Sequence, residues 1–344
     1  MKGIAAFIFS CALCLLSASA GCWASELDGP VVKWRVATYP PPRASTTGIQ
    51  TIADYVKERT GGKFTIDIGY GTFGDPKDFL DLFQIGALQG ALVQTAITGG
   101  KLPLYTVLDL PFLPLGDVEV QQAVHEAVDS HPAVIKEFAA WNAIPFMSSL
   151  IPQYELTGKG KVPEKPSDLA GMRIRAQGEL GHALEKLGAT PTTIPAPEVY
   201  VALDRGLVGA VAQPFYAIKS YRLGEISDWM TTNLSLGTTG VPFVINKKAW
   251  EALPEQYQQL LRDAREKAYA AQKAALGAEQ RAALDQLRTQ IKPIEFSDDA
   301  LERFREAGGK PVWAEWAARQ DTAGLPGQEI LDLVLQTAAK ATKR

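Results

Sequence analysis

The sequence MRIRAQGELGHALEKLGATPTTIPAPEVYVALDRGLVGAVAQ, residues 172–213, has the pattern of a β-α-β-α-β unit. Three short segments, 172–177, 190–194 and 208–213, have the apolar alternation or β-branched content of strands. The two segments between them carry apolar residues at helical spacing. Strands that alternate with helices are typical of a helix-flanked, mainly parallel sheet, so the sequence predicts an α/β fold.

The same rhythm occurs nearer the amino terminus. The predicted elements there are a strand at Val32–Val36, a helix over 49–56, a strand at Phe64–Tyr70, a helix from Asp78 and a strand at Ala91–Ala96. A chain of 344 residues is long enough for two domains of ordinary size. Two β-α-β-α-β units in one such chain predict two lobes of similar architecture.

A long amphipathic segment follows the second unit. Apolar residues recur every three or four positions over 255–290, and a helix of that length would extend about 50 Å. Such a helix suits a strut along both lobes, although two helices broken near Gly277 would fit the same pattern. The predicted first lobe comprises 26–152 plus about 241–280, and the second about 153–240 plus 281–344.

Residues 1–25 have the features of a secretory signal peptide. Lys2 provides a positive start, an apolar stretch follows, and Ala18-Ser19-Ala20 is a small-residue cleavage site. The sequence therefore predicts a periplasmic protein. Processing at Cys22 as an acylated lipoprotein is an alternative. All three cysteines lie in this region, so the mature chain is predicted to have no disulfide framework.

Composition and motifs argue against several functional classes. The net charge is −3 and basic residues form no stripe, which is unlike a nucleic-acid-binding protein. The three histidines lack metal-ligand spacing, and no nucleophile-elbow, P-loop or dinucleotide motif is present. We therefore expect neither an enzyme nor a bound cofactor and identify no metal-ligating residues, while participation of a metal ion in solute binding is left open.

Two arginines lie on one face of the predicted strand at 172–177. Arg175 is at its carboxyl end, where ligands bind in open α/β sheets. A guanidinium group can hold a carboxylate with two parallel hydrogen bonds. Arg175 is therefore a candidate ligand contact, and Arg173 is predicted to be solvated or paired with an acidic side chain. A surface role for both would also fit the residues alone.

Several motifs in order resemble one family. PSDLAGMRIRAQ (166–177), LGATPTTIPAPEVYVALDRGLVGA (187–210), INKKAWEALPEQYQQLL (245–261) and LPFLP (110–114) are similar to segments of the periplasmic solute receptors of TRAP transporters, of the C4-dicarboxylate-receptor type. The resemblance implies a two-lobed periplasmic binding protein fold, a cleft between the lobes and a long helix touching both. It also implies a sodium-coupled permease with one small and one large subunit as partner, and Arg175 as the clamp for the substrate carboxylate.

The resemblance also directs attention to residues near the strand ends. Gln213 stands where the family usually has asparagine, and its amide can still bind a solute. The remaining candidate ligand contacts are Gln94, Tyr39, Tyr154, Glu155, Phe215 and Tyr216. Loop structure would equally explain Gln94 and Tyr39, and core packing would explain the two aromatic residues that follow Gln213.

Tyr154-Glu155 occupies the place where many acid-binding members have a second arginine. Either residue could face the cleft, and neither is a strong anion clamp. We therefore expect an organic acid with one carboxylate and a bulky apolar or aromatic body. A small dicarboxylate is an alternative, as is a sensor role in which the solute signal passes to a receptor. A monomer is predicted and a dimer is left open.

Overall fold

The computed structural model describes residues 27–98, 100–195 and 198–343. The predicted signal peptide and Cys22 lie outside these residues. The described strands are β1 Val32–Thr38, β2 Phe64–Tyr70, β3 Gly90–Leu92, β4 Ala143–Ser148, β5 Glu155–Gly158, β6 Arg173–Arg175, β7 Thr190–Thr192, β8 Ala210–Gln213, β9 Trp229–Thr231, β10 Pro242–Asn246 and β11 Lys292–Ile294.

Helices flank these strands throughout the described chain. The α-helices are α1 Thr47–Arg59, α2 Phe79–Gln84, α3 Thr95–Thr98, α4 Val118–Asp129, α5 Pro132–Ala139, α6 Gly178–Lys186, α7 Val199–Asp204, α8 Phe215–Ser220, α9 Lys247–Glu251, α10 Glu255–Arg288, α11 Asp298–Phe304, α12 Lys310–Thr322 and α13 Gly327–Ala341. Short 3₁₀ helices include Ala44–Thr46, Pro76–Asp78, Tyr105–Asp109, Pro166–Leu169 and Leu223–Glu225.

The strands form two sheets. The first has the order β2-β1-β3-β10-β4, and the second has the order β11-β9-β5-β8-β6-β7. The predicted α/β class is confirmed. Both sheets are mainly parallel, as predicted, and each contains one reversed strand: β10 runs antiparallel to β3 and β4, and β5 runs antiparallel to β8 and β9. Each antiparallel strand adjoins a segment in which the chain passes from one sheet to the other.

The third predicted strand is shorter than expected. The pattern at Ala91–Ala96 predicts a strand, but β3 ends at Leu92 and α3 begins at Thr95. The amide of Val93 still donates to the carbonyl of Pro242 at 3.0 Å. The chain then turns, and the amide of Thr98 donates to the carbonyl of Gln94 at 3.1 Å. The backbone thus leaves the sheet after Val93 and enters a helical turn at the carboxyl end of β3.

Helix α10 is a single helix of 34 residues that runs unbroken through Gly277. The alternative of two separate helices is therefore wrong. Its buried face begins with Tyr257, Leu260 and Leu261 and packs against α1, which lies on the first sheet. Farther along, α10 packs against α8, which follows β8 of the second sheet. The expectation of a strut that contacts both units is confirmed.

The apolar core consists of three clusters of buried side chains. One lies between the first sheet and helices α1 and α10, and includes Phe64, Phe243 and Tyr257. A smaller cluster lies between the second sheet, α7 and the end of α10. The largest extends from α2 and α4 to α12 and α13, so the carboxyl-terminal helices join the two units. No described helix is long and apolar enough to cross a membrane.

Candidate ligand-binding site

A cavity of about 280 Å³ lies between the edges of the two sheets; we call it the main cavity. Six of the eight predicted contacts line it, namely Tyr39, Gln94, Tyr154, Arg175, Gln213 and Tyr216. Its other lining residues are Pro40, Arg43, Ser45, Ile151, Gln177, Ala217, Ser220, Tyr221 and Thr239. Strand ends from both sheets therefore converge on one space.

Arg175 is the most deeply buried charge of the main cavity. It is the last residue of β6 and only 3% exposed, whereas Arg173, two residues earlier, is exposed. Its Nε donates to the carbonyl of Ile194 at 3.0 Å and its Nη1 to the carbonyl of Ala212 at 3.5 Å. An arginine has five N–H donors, so these two bonds orient the group and leave donors for a ligand.

Arg175 has no counter-ion among the described residues. Within residues 27–98, 100–195 and 198–343, no carboxylate pairs with it. Burial lowers its pKa, and the neighbouring phenols of Tyr154 and Tyr221 oppose this effect only in part. An arginine stays charged in proteins, so a buried guanidinium beside a cavity favours an anionic occupant.

A second guanidinium, that of Arg43, also lines the main cavity. Arg43 follows the loop Tyr39-Pro-Pro-Pro and begins the 3₁₀ turn at Ala44–Thr46, where its amide donates to Oγ1 of Thr46 at 3.0 Å. Two guanidinium groups therefore line the main cavity, where the sequence indicated one. The sequence analysis looked for a second arginine at Tyr154-Glu155, at the start of β5, whereas Arg43 comes from the loop after β1.

Four tyrosines surround these cations. Burial raises the pKa of Tyr39 and of Tyr154 far above the usual range, and also raises that of Tyr216, where Arg43 opposes the effect. These three hydroxyls are thus neutral at physiological pH and can both donate and accept hydrogen bonds. Tyr221, which sequence reasoning missed, completes the set. The walls can cover an apolar ligand body and still contact polar substituents.

Amide side chains supply the remaining polar groups. Gln213 ends β8 and is 5% exposed, and Gln94 lies two residues beyond the end of β3. Gln177, at the start of α6, also lines the main cavity and was not predicted. All three follow the carboxyl ends of strands, which is the position that the topology rule for open sheets indicates.

The structure distinguishes Tyr154 from Glu155. Tyr154 lines the main cavity, whereas Glu155, the next residue, points to the opposite side of the strand. The carboxylate of Glu155 accepts hydrogen bonds from Oγ1 of Thr231 at 2.5 Å and from the amides of Leu234 and Ser235 at 3.0 and 2.9 Å. Burial raises its pKa to about 7, against the effect of these bonds. Glu155 thus secures the segment after β9.

Phe215 and Tyr216 separate in the same way. Tyr216 lines the main cavity, and Phe215 lines a second cavity of about 310 Å³ together with Glu155 and Leu276 of α10. Phe215 also packs against the apolar cluster beneath the second sheet. The structure therefore places two of the eight predicted contacts, Glu155 and Phe215, away from the main cavity.

Two sheet-based units, a helix along both and a cavity between strand ends define a two-lobed ligand-binding protein. The chain belongs to the bacterial extracellular solute-binding proteins of family 7, whose family model matches residues 37–320. The resemblance to TRAP transporter receptors is thereby confirmed. The protein is a periplasmic-type solute receptor and not an enzyme.

Similar proteins agree with this assignment. The ectoine-binding periplasmic protein TeaA of Halomonas elongata is 26% identical over 271 residues, which cover 76% of this chain and 77% of that protein. A TRAP periplasmic solute-binding protein from Desulfovibrio salexigens has a similar structure, with a TM-score of 0.80, 23% identity and coverage of 90% and 96%. A marine metagenome TRAP solute-binding protein specific for aromatic acid ligands, crystallised with 3-hydroxybenzoate, is also similar in structure. Its TM-score is 0.77 and its sequence identity 22%, and the match covers 91% of this chain and 99% of that protein.

Proposed function

We propose that this receptor binds an organic acid, with the ligand carboxylate held by Arg175. The observation that supports this most directly is the buried guanidinium, which lies beside a cavity and pairs with no carboxylate of the described chain. Leaving such a charge unpaired in a closed site costs several kcal/mol, on the order of the penalty for a broken buried ion pair. A carboxylate ligand removes that penalty by bidentate hydrogen bonding.

The rest of the ligand is proposed to be a bulky apolar or aromatic body. Tyr39, Tyr154, Tyr216 and Tyr221 provide aromatic surface on several sides of the main cavity. Gln213 and Gln94 provide amides for polar substituents. The aromatic acid specificity of the marine metagenome protein is in keeping with this class of ligand, and the ectoine-binding relative shows that family members take other small solutes.

Arg43 favours a second candidate, a small dicarboxylate. If Arg175 and Arg43 each held one carboxylate, the two cations of the main cavity would both be neutralised. Binding of succinate would then be tighter than binding of butanoate, which has the same chain length and one carboxylate less. The reverse order supports the monocarboxylate proposal.

A thermal-shift screen of the mature protein tests the substrate class. The compounds are aliphatic and aromatic monocarboxylates, dicarboxylates, sugars and polyamines at equal concentration. We expect the largest increases in melting temperature from monocarboxylates with a ring or branched body, since a ligand that binds only the native state stabilises it. Stabilisation by sugars or polyamines and by no acid would contradict the proposal.

We further propose that the loaded receptor delivers its solute to a sodium-coupled TRAP permease with one small and one large subunit. Family membership supports this role, and the sensor role differs only in the partner. The test is solute uptake by vesicles that contain the permease encoded beside this gene, with and without the receptor. Uptake that is independent of the receptor, or a neighbouring gene for a histidine kinase in place of a permease, would favour the sensor role.

A further inference from the structure

A small cavity of about 30 Å³ adjoins the main cavity. The two share Gln94, Tyr154, Gln177 and Thr239 in their walls. This volume corresponds to about one water molecule, so it suits a single hydroxyl or amino group and no larger substituent. The small cavity is therefore an extension of the main cavity that admits one small substituent of a ligand.

The floor of the small cavity contains Asp109, the last residue of the 3₁₀ helix Tyr105–Asp109. Asp109 is 7% exposed and lies opposite the start of α6 from the second unit. Its Oδ1 accepts hydrogen bonds from Oγ1 of Thr95 at 2.6 Å and from the amide of Gly240 at 2.5 Å. Both of these bonds end on one oxygen, and a carboxylate has about four acceptor sites, so Asp109 retains capacity for a further donor even with Thr239 also contributing.

Asp109 also lacks a cationic partner among the described residues. Burial raises its pKa to about 7, although hydrogen bonds from Thr95, Gly240 and Thr239 oppose this effect. The other carboxylate in the wall, Glu179, is already engaged, since it binds Nη2 of Arg319 at 2.9 Å and Nδ1 of His182 at 3.0 Å. Asp109 is thus the carboxylate of this wall with acceptor capacity to spare.

We infer that the small cavity is a donor subsite, in which Asp109 accepts a hydrogen bond from a hydroxyl or amino group of the ligand. Tyr154 lines both cavities and so connects the two ends of the site, with Arg175 in the wall of the main cavity and Asp109 in that of the small cavity. A ligand that spans them carries its carboxylate at Arg175 and its donor at Asp109. The substrate class is therefore a hydroxy- or amino-substituted acid, an inference that rests on the proposed function.

Calorimetry with matched acids tests the donor subsite. The probes are benzoate, 3-hydroxybenzoate and 3-aminobenzoate, and the aliphatic set butanoate, 3-hydroxybutanoate and 3-aminobutanoate. At pH 8, above the pKa of Asp109, we expect one substituted acid to bind about tenfold or more tightly than its unsubstituted parent, as for a hydrogen bond to a charged group. In Asp109→Asn this preference falls below about threefold, while affinity for the unsubstituted acid changes little, since the asparagine oxygen still accepts from Thr95 and Gly240.

Asp129→Asn is the matched control. This aspartate accepts from the hydroxyl of Tyr105 at 2.7 Å and lines neither cavity, so the preference stays as in the parent protein. Equal affinity of the parent protein for substituted and unsubstituted acids overturns the donor subsite alone, whether or not the variants fold. An unchanged preference in folded Asp109→Asn also overturns it. Failure of all six acids to bind overturns the proposed function as well.

Discussion

Replacing Arg175 by methionine separates ligand binding from folding. The variant keeps an unbranched side chain but leaves the ligand carboxylate without its buried partner. Truncating one member of a buried, hydrogen-bonded charge pair costs about 2–5 kcal/mol. Since each 1.4 kcal/mol is about a factor of ten in affinity, we expect the Kd of the best acid to rise between about 30-fold and a few thousand-fold.

Stability without ligand changes little in the same variant. The carbonyls of Ile194 and Ala212 lose hydrogen bonds, of which the shorter contributes about 1 kcal/mol and the longer less. Removal of a desolvated, unpaired charge offsets that loss. We therefore expect a melting temperature close to that of the parent protein, measured by circular dichroism with no acid present.

Arg173→Met provides a matched control on the same strand. Arg173 is exposed two residues before Arg175, so its loss removes the same charge from the molecule without touching the main cavity. Calorimetry should then give the parent affinity. Parent affinity in Arg175→Met would refute the reasoning, because the ligand would not depend on this arginine. An equal loss in both variants would also refute it, because the loss would not depend on the buried position of Arg175.

Three other substitutions probe the surroundings of the site. Arg43→Met should weaken acid binding less than Arg175→Met, since Arg43 is only half-buried; an equal or greater calorimetric loss would make Arg43 the principal clamp. Gly277→Ala should raise the free energy of unfolding, measured in urea, by about 1 kcal/mol, because alanine favours the helix and the new methyl group meets only the flexible end of the Arg281 side chain. No gain would mean that the Arg281 side chain cannot move aside. The pKa of Glu155 is about 7 in the native state, above its ordinary value of 4.5, so the native state binds the proton more tightly than the unfolded state. The stability that this group contributes therefore falls as pH rises from 4.5 to 7. Glu155→Gln should make that decline shallower in urea titrations at pH 5, 6 and 7, and a slope equal to the parent's would show that the carboxyl does not titrate there.

The strand and helix pattern predicted the architecture because periodicity reports which side chains are buried. It did not predict which strand of each sheet is reversed. Strands β10 and β5 each follow a passage of the chain from one sheet to the other, and hydrophobic periodicity does not report strand direction. The end of β3 was also misplaced, because hydrogen bonds from Thr95 to Gly240, which is 145 positions away, hold the start of α3 in place.

The candidate site was predictable where it follows strand ends. Arg175 and Gln213 close β6 and β8, and a strand end is visible in the sequence. Arg43 was not predictable in this way, because a proline-rich loop and a 3₁₀ turn carry it into the cavity from another part of the chain. Tyr154 and Glu155 could not be told apart either, since a shift of one residue in a strand exchanges its two faces.

The groups of the candidate site are divided between the two sheets, so a ligand that contacts both sets links the two units. Arg175 and Gln213 end strands of the second sheet, whereas Arg43, Gln94 and Asp109 belong to segments of the first unit. Arg175 and Asp109 are both buried, and neither has a partner of opposite charge among the described residues. A substituted acid contacts both groups at once, so the same ligand links the two units. Loss of Arg175 should therefore remove this link as well as the affinity, because the same carboxylate contact provides both.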